Sequence, residues 1–141
     1  MANTAVIEKW VEALESDEYE QVTGRLKRNT NSGVVGYCCL GVLCELAVKE
    51  KVIAPGQSYR LGEWGVTGER ATELIYHFDG AEMSLPSHVA NWAEVGTTDP
   101  VLYEKTDEGR VGHRASIWND DYGYDFHQIA QLIRNTYLEN E

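Results

Sequence analysis

The stretch Tyr37-Cys38-Cys39-Leu40-Gly41-Val42-Leu43-Cys44-Glu45-Leu46-Ala47-Val48 constrains this chain more than any other, because it holds a single charged residue, Glu45. Leu40, Leu43, Cys44, Ala47 and Val48 recur at the i, i+3, i+4, i+7, i+8 spacing, and Val42 and Leu46 add a second apolar edge. A helix that is apolar around most of its circumference has to be buried around most of it. The pattern therefore predicts a central buried helix, running to about Lys51 and closed by Ala54-Pro55-Gly56, since proline cannot continue the helical hydrogen bonds. Gly41 costs such a helix roughly 1 kcal/mol relative to alanine, so its presence predicts the close approach of another backbone. Leu40, Leu43, Cys44 and Ala47 are expected to pack against the first and last helices.

The flanking sequence supplies those helices. From Thr4 to about Asp17, Val6, Ile7, Trp10, Val11 and Leu14 share one face and Glu8, Glu12 and Glu15 another, an amphipathic helix that Asn3 or Thr4 can cap. Residues 24–36, rich in Asn, Ser and Gly after a cluster of basic residues, read as a loop. Gln57 to Gly68 reads as a turn-rich connection with a short strand around Trp64 and Val66, and Thr67 to His77 as a short helix or strand through Ala71, Leu74 and Ile75. Ser84 is placed to cap a helix of about ten residues containing Pro86, Val89, Trp92 and Ala93. Val101 to Lys105 and Val111 to Trp118, joined through Gly109, read as two strands of a hairpin. Asp125-Phe126-His127-Gln128 has capping-box form, and Phe126, Ile129, Ala130, Ile133 and Tyr137 give the last helix its apolar face to about residue 138. The expectation is α+β: a single domain over residues 1–141 with a helical core around a central buried helix and a small antiparallel β-hairpin late in the chain.

Charge and cysteine usage narrow the functions. A formal charge of −11 with twelve Lys and Arg argues against direct nucleic-acid binding, which draws its affinity from phosphate neutralisation. The N-terminus lacks the basic and then apolar regions of a signal peptide, and no apolar run approaches the ~20 residues of a membrane span, so a cytoplasmic location is expected. Cys38, Cys39 and Cys44 are odd in number and lie inside the most apolar segment, which suits reduced packing thiols better than a disulfide framework.

Three kinds of chemistry can be weighed against that background. Cys38 and Cys39 stand near the expected start of a helix, where a thiol pKa falls, so either could act as a nucleophile with His77, His88, Asp79 or Asp120 as partner; burial in the apolar run opposes this. The cysteines lack C-x-x-C spacing and the histidines at 77, 88, 113 and 127 are isolated in sequence, so no metal or cofactor is expected. Residues 119–125 resemble a calcium loop only loosely, with Gly123 at the fifth position and Ala130 where the bidentate Glu belongs, and read better as a turn and helix cap. The remaining inventory is aromatic and polar. A strand end turning into a helix leaves amides and carboxylates convergent, so Trp118, Asn119 and Asp120 are candidate ligand-binding residues, with Arg114 and Tyr37 as lesser ones.

Trp10-Val11-Glu12-Ala13-Leu14 with Glu18-Tyr19, the Tyr-Cys-Cys-Leu-Gly-Val-Leu-Cys string at 37–44, Leu85-Pro86-Ser87 with Trp92, and Trp118-Asn119-Asp120 ahead of Phe126, Ile129-Ala130 and Leu132-Ile133 form a recognisable set. It resembles a family of small, uncharacterised proteins of tailed bacteriophages, over most of the chain except Gln57 to Glu82. The resemblance implies a phage setting, hence the host cytoplasm, and transfers no catalytic residue. Together with the charge it points to a non-catalytic protein of counter-defence or host takeover that sequesters its target. One form of this binds a nucleotide-type signal in an aromatic-lined pocket. Another docks the acidic face from Glu8 to Glu20 on a basic or nucleic-acid-binding host protein. A cysteine-dependent hydrolase or transferase and a homo-oligomeric structural protein are the alternatives from other classes.

Overall fold

A computed structural model describes residues 2–29, 34–60 and 74–138. In chain order the elements are α1 (Thr4–Glu15), β1 (Glu20–Gln21), β2 (Lys27–Asn29), β3 (Val35–Tyr37), α2 (Cys39–Lys49), β4 (Gln57–Arg60), β5 (Leu74–His77), α3 (Ser87–Ala93), β6 (Val101–Thr106), β7 (Gly109–Arg114), α4 (Ala115–Asp120) and α5 (Phe126–Ile133). A π-helical turn, Arg134–Leu138, extends α5. The architecture is α+β, with the late antiparallel hairpin formed by β6 and β7.

The central helix is α2. Leu40, Val42, Leu43, Cys44 and Ala47 are fully enclosed. It begins two residues later than the apolar run suggests: Cys38 is the N-cap and Tyr37 belongs to β3. Gly41 does what its cost implied, because a Cβ there would sit 1.7 Å from the Leu26 carbonyl oxygen. α2 packs mainly against α1, α4 and α3, and α5 mainly on α1 rather than, as expected, on α2. The reason lies in α1, whose Val6, Ile7, Trp10, Val11 and Leu14 are all buried and stand between the two. The Trp10 indole N–H donates to the Cys39 carbonyl at 2.8 Å, so the largest side chain of α1 also satisfies a backbone group of α2.

Residues 24–36 are not simply a loop, since they contain β2 and β3. These join β1, β4 and β5 in a five-stranded sheet of order β1-β3-β2-β5-β4, parallel only between β1 and β3. Lys27-Arg28-Asn29 has no strand periodicity; tertiary pairing makes the strand. Register sets Lys27 beside Tyr37, and its ammonium lies 5.3 Å from the Tyr37 ring centroid, 4.5 Å from that of Tyr76 and 3.5 Å from Glu45. Burial pulls this lysine down, but Glu45 and the two phenols outweigh it and hold it above its usual range.

Other boundaries move for local reasons. α3 starts at Ser87 with Pro86 as N-cap, not at Ser84, because Leu85 is drawn into an extended link by donating its N–H to the Thr98 carbonyl at 2.8 Å. The second hairpin strand ends at Arg114 instead of running to Trp118. Asp99 ends it by accepting the Ser116 N–H at 3.0 Å and the Ser116 hydroxyl, which starts α4. Leu74–His77 is a strand; the readings on Trp64, Val66, Thr67 and Ala71 lie outside the described residues. The capping box of α5 forms as expected: the Gln128 N–H donates to Asp125 Oδ1 at 2.8 Å and Gln128 Oε1 accepts the Asp125 N–H at 2.9 Å.

Candidate functional site

The structure scatters the five residues singled out from sequence. Trp118 and Asn119 are 2% and 1% exposed, Asp120 is half-buried beside them, Arg114 is exposed at the end of β7, and Tyr37 is half-buried against Lys27 in the sheet. Trp118 is held by donating its indole N–H to the Leu102 carbonyl at 3.0 Å.

Asn119 spends its whole hydrogen-bonding capacity internally. Its Oδ1 accepts the Gln21 side-chain amide at 2.8 Å and the Cys39 N–H at 3.2 Å. Its Nδ2 donates to the Val22 carbonyl at 2.9 Å and to Asp120 Oδ1 at 2.8 Å. A primary amide has two N–H donors and two acceptor lone pairs, so nothing is left over for a ligand. The effect is to cap α2, whose own N-cap Cys38 makes no side-chain cap bond, from 80 residues away.

The thiols are equally closed. Cys38, Cys39 and Cys44 are free and buried. Burial pushes the Cys38 thiol up to about 12, and Cys39 and Cys44 rise well above the usual thiol range for the same reason. The start of α2 does not rescue them, since desolvation outweighs the backbone N–H groups facing Cys38. Among the described residues no group of three or more His, Cys, Asp or Glu is arranged to hold a metal ion.

An open site lies on the other side of Tyr124. That residue's carbonyl accepts Gln21 at 2.7 Å within the Asn119 network. Its ring packs 4.8 Å from Trp118, and its hydroxyl donates to Glu104 Oε2 at 2.7 Å. This bond raises the Tyr124 phenol above its ordinary range, so the hydroxyl stays a donor. Between β6 and α5, Tyr124, Glu104 and Lys105 face Gln128, Gln131, Leu132 and Asn135 across a cleft of about 380 Å³. That is the size at which a small-molecule pocket begins. A larger hollow of about 470 Å³, bordered by Ala2, Thr4, Val95 and Tyr137, has no comparable set of oriented amides.

The π-helical turn builds one wall of this cleft. It brings Asn135 and Thr136 together onto the free edge of β6, where Thr136 Oγ1 accepts the Tyr103 N–H at 3.0 Å and Asn135 Nδ2 donates to the Tyr103 carbonyl at 3.2 Å. Two side chains thus occupy the edge that a third strand would take. Asn135 Oδ1, its direction set by that contact, accepts Gln131 Nε2 at 3.0 Å. Among the described residues Gln131 is thereby oriented with Oε1 and one N–H unspent, and Gln128 is oriented by the capping box with its Nε2 unspent. Glu104 likewise keeps Oε1. Beside the cleft, Tyr122, 52% exposed, packs 4.8 Å from His113 and 5.0 Å from Trp118.

A family model described as a domain of unknown function, DUF8296, matches residues 2–137. The chain belongs to this family. No curated protein and no solved structure matches it. The matched span takes in both the closed Asn119 network and the open cleft. The cleft residues carried one signal that periodicity alone overlooks. Gln128 and Gln131 are exposed, uncharged polar residues at i and i+3 of α5, followed at i+7 by the buried Asn135 of the π-turn, in a chain where a quarter of all residues are charged. Solvated helix faces are ordinarily filled by Lys and Glu.

Proposed function

We propose that this chain is a non-catalytic binding protein that sequesters a small polar molecule in the cleft between β6 and α5. In the setting implied by the bacteriophage resemblance, it would serve counter-defence or host takeover in the host cytoplasm, with a nucleotide-type signal as its ligand. The observation that carries the reading is the half-spent state of Gln128, Gln131 and Glu104. Each has one hydrogen bond that fixes its direction and at least one group still available. Preorganised polar groups over an apolar floor, here the buried Leu132, are what a specific small-molecule site requires.

Turnover is not favoured. The cysteines that a hydrolase or transferase would need are enclosed and protonated. Docking through the acidic face has less support, because that surface is partly committed internally. Glu15 forms a two-pronged ion pair with Arg134, and Asp17 accepts His127 Nε2 at 2.7 Å.

The reading is tested by purifying the chain under native conditions from phage-infected cells, weighing it intact and identifying what is released on unfolding. Retention of an uncleaved small molecule, reduced in Gln131→Leu, is the expected result. A protein that leaves the cell with no ligand, or with a cleaved one, contradicts it.

A further inference from the structure

The groups left unspent in the cleft differ in kind, and the difference selects a ligand edge. Glu104 is an acceptor, already approached on Oε2 by the Tyr124 hydroxyl and open on Oε1. A carboxylate in this state is best met by two adjacent N–H donors. On the α5 side Gln128 Nε2 and the second N–H of Gln131 are donors, and Gln131 Oε1 is one further acceptor. A complementary ring therefore presents paired N–H groups toward β6 and acceptors toward α5. Leu132 and the Tyr124 ring supply the apolar and π surfaces for its faces.

Among the common bases this pattern is guanine. Its N1–H and N2 amine lie side by side, and its O6 and N7 acceptors line the adjoining edge, apart from the amine. Adenine and cytosine set a lone-pair nitrogen beside their amine, which would face the carboxylate with repulsion, and uracil offers one N–H flanked by carbonyls. We propose that the cleft recognises the guanine base of a nucleoside or nucleotide. This deepens, and rests on, the binding reading above. The start of α5 is already capped by Asp125, and Glu104 is anionic, so neither favours a phosphate. Recognition is thus of the base, and phosphates extend outward into solvent.

Titration calorimetry of the full chain with guanosine, guanosine monophosphate, inosine, adenosine and uridine tests this. Guanosine and its monophosphate should bind with affinities within about threefold of each other. Inosine, which lacks only the N2 amine, should bind at least ~10-fold more weakly, since a site built for an N–H donor discriminates strongly against its absence. Glu104→Gln keeps an acceptor for Tyr124, so it should retain the wild-type thermal transition, and it should lose at least ~10-fold for guanosine. Gln131→Leu should weaken guanosine on its own count and serves as a second variant should Glu104→Gln fail to fold. Equal binding of guanosine and inosine, or an unchanged guanosine affinity in folded Glu104→Gln, overturns the guanine assignment. If the purified protein nevertheless releases some other intact molecule that Gln131→Leu fails to retain, the assignment falls and the binding reading stands. If no nucleoside binds and nothing is retained, both fall.

Discussion

Two amide networks lie on either side of Tyr124, built from the same chemical groups and differing in how much of their capacity is used. Around Asn119 every donor and acceptor is met within the chain, and the residue is 1% exposed. Along α5, Gln128 and Gln131 each make the one contact that orients them and face an open cleft with the rest. A buried polar group left unpaired costs about 1–3 kcal/mol, so a closed network is a structural device. A half-closed one at the surface leaves groups that water or a ligand can meet. The distinction moves attention from Trp118-Asn119-Asp120, which the sequence makes conspicuous, to Gln128 and Gln131, which it does not.

The largest effect is expected where the closed side is seated. Gly41→Ala places a methyl group 1.7 Å from the Leu26 oxygen, and neither backbone can retreat without unseating α2. Urea unfolding should show a loss of about 4 kcal/mol or failure to fold; a loss below about 1 kcal/mol would mean that the Gly41–Leu26 contact is slack.

Next comes the comparison itself. Asn119→Leu strands the Cys39 N–H, the Val22 carbonyl and one contact of Gln21, and should cost about 3 kcal/mol. Gln131→Leu should change stability by no more than about 0.5 kcal/mol while reducing ligand retention. If the two substitutions destabilise equally, the open network is structural as well.

The thiols belong to the closed side. Cys38→Ala with Cys39→Ala should cost about 2 kcal/mol through lost packing and leave ligand retention intact. A variant that folds but no longer retains ligand would return the cysteines to the site.

How much of this could be seen in the sequence depends on whether the information was local. The central helix, the close approach at Gly41, the α5 capping box and the hairpin follow from spacing and turn chemistry within a few residues. The five-stranded sheet was missed because β2 is Lys27-Arg28-Asn29, whose place between Tyr37 and Tyr76 depends on partners distant in sequence. The Asn-Asp pair stood out as a candidate site because its partners Gln21, Val22 and Cys39 lie about 80 to 98 residues away. Gln131 gave the opposite error: an unremarked glutamine gains meaning only when Asn135, fixed by Tyr103, turns it toward the cleft.

The smallest effect is electrostatic. Asp17 raises His127 above the usual histidine range by accepting its hydrogen bond, and Arg134 lowers Glu15 by the same kind of contact. The raised histidine adds stability that is fully present below the unfolded value of about 6.5 and is lost as pH rises through the folded value. The lowered carboxylate adds stability present above the unfolded carboxylate range and lost as pH falls through the folded value. Both groups are exposed enough for solvent to screen the effect. Thermal unfolding of His127→Gln should differ from wild type by more at pH 5.5 than at pH 8, and an equal difference at both would remove the Asp17 contact from the description.

The most direct test reads the two networks together, in a nitrogen-15 spectrum of the side-chain amides recorded with and without guanosine. The open and closed assignment predicts that the Gln128 and Gln131 signals move on addition while the Asn119 signal stays in place. Movement of Asn119 and of the Cys39 backbone N–H, with Gln128 and Gln131 unchanged, would contradict it.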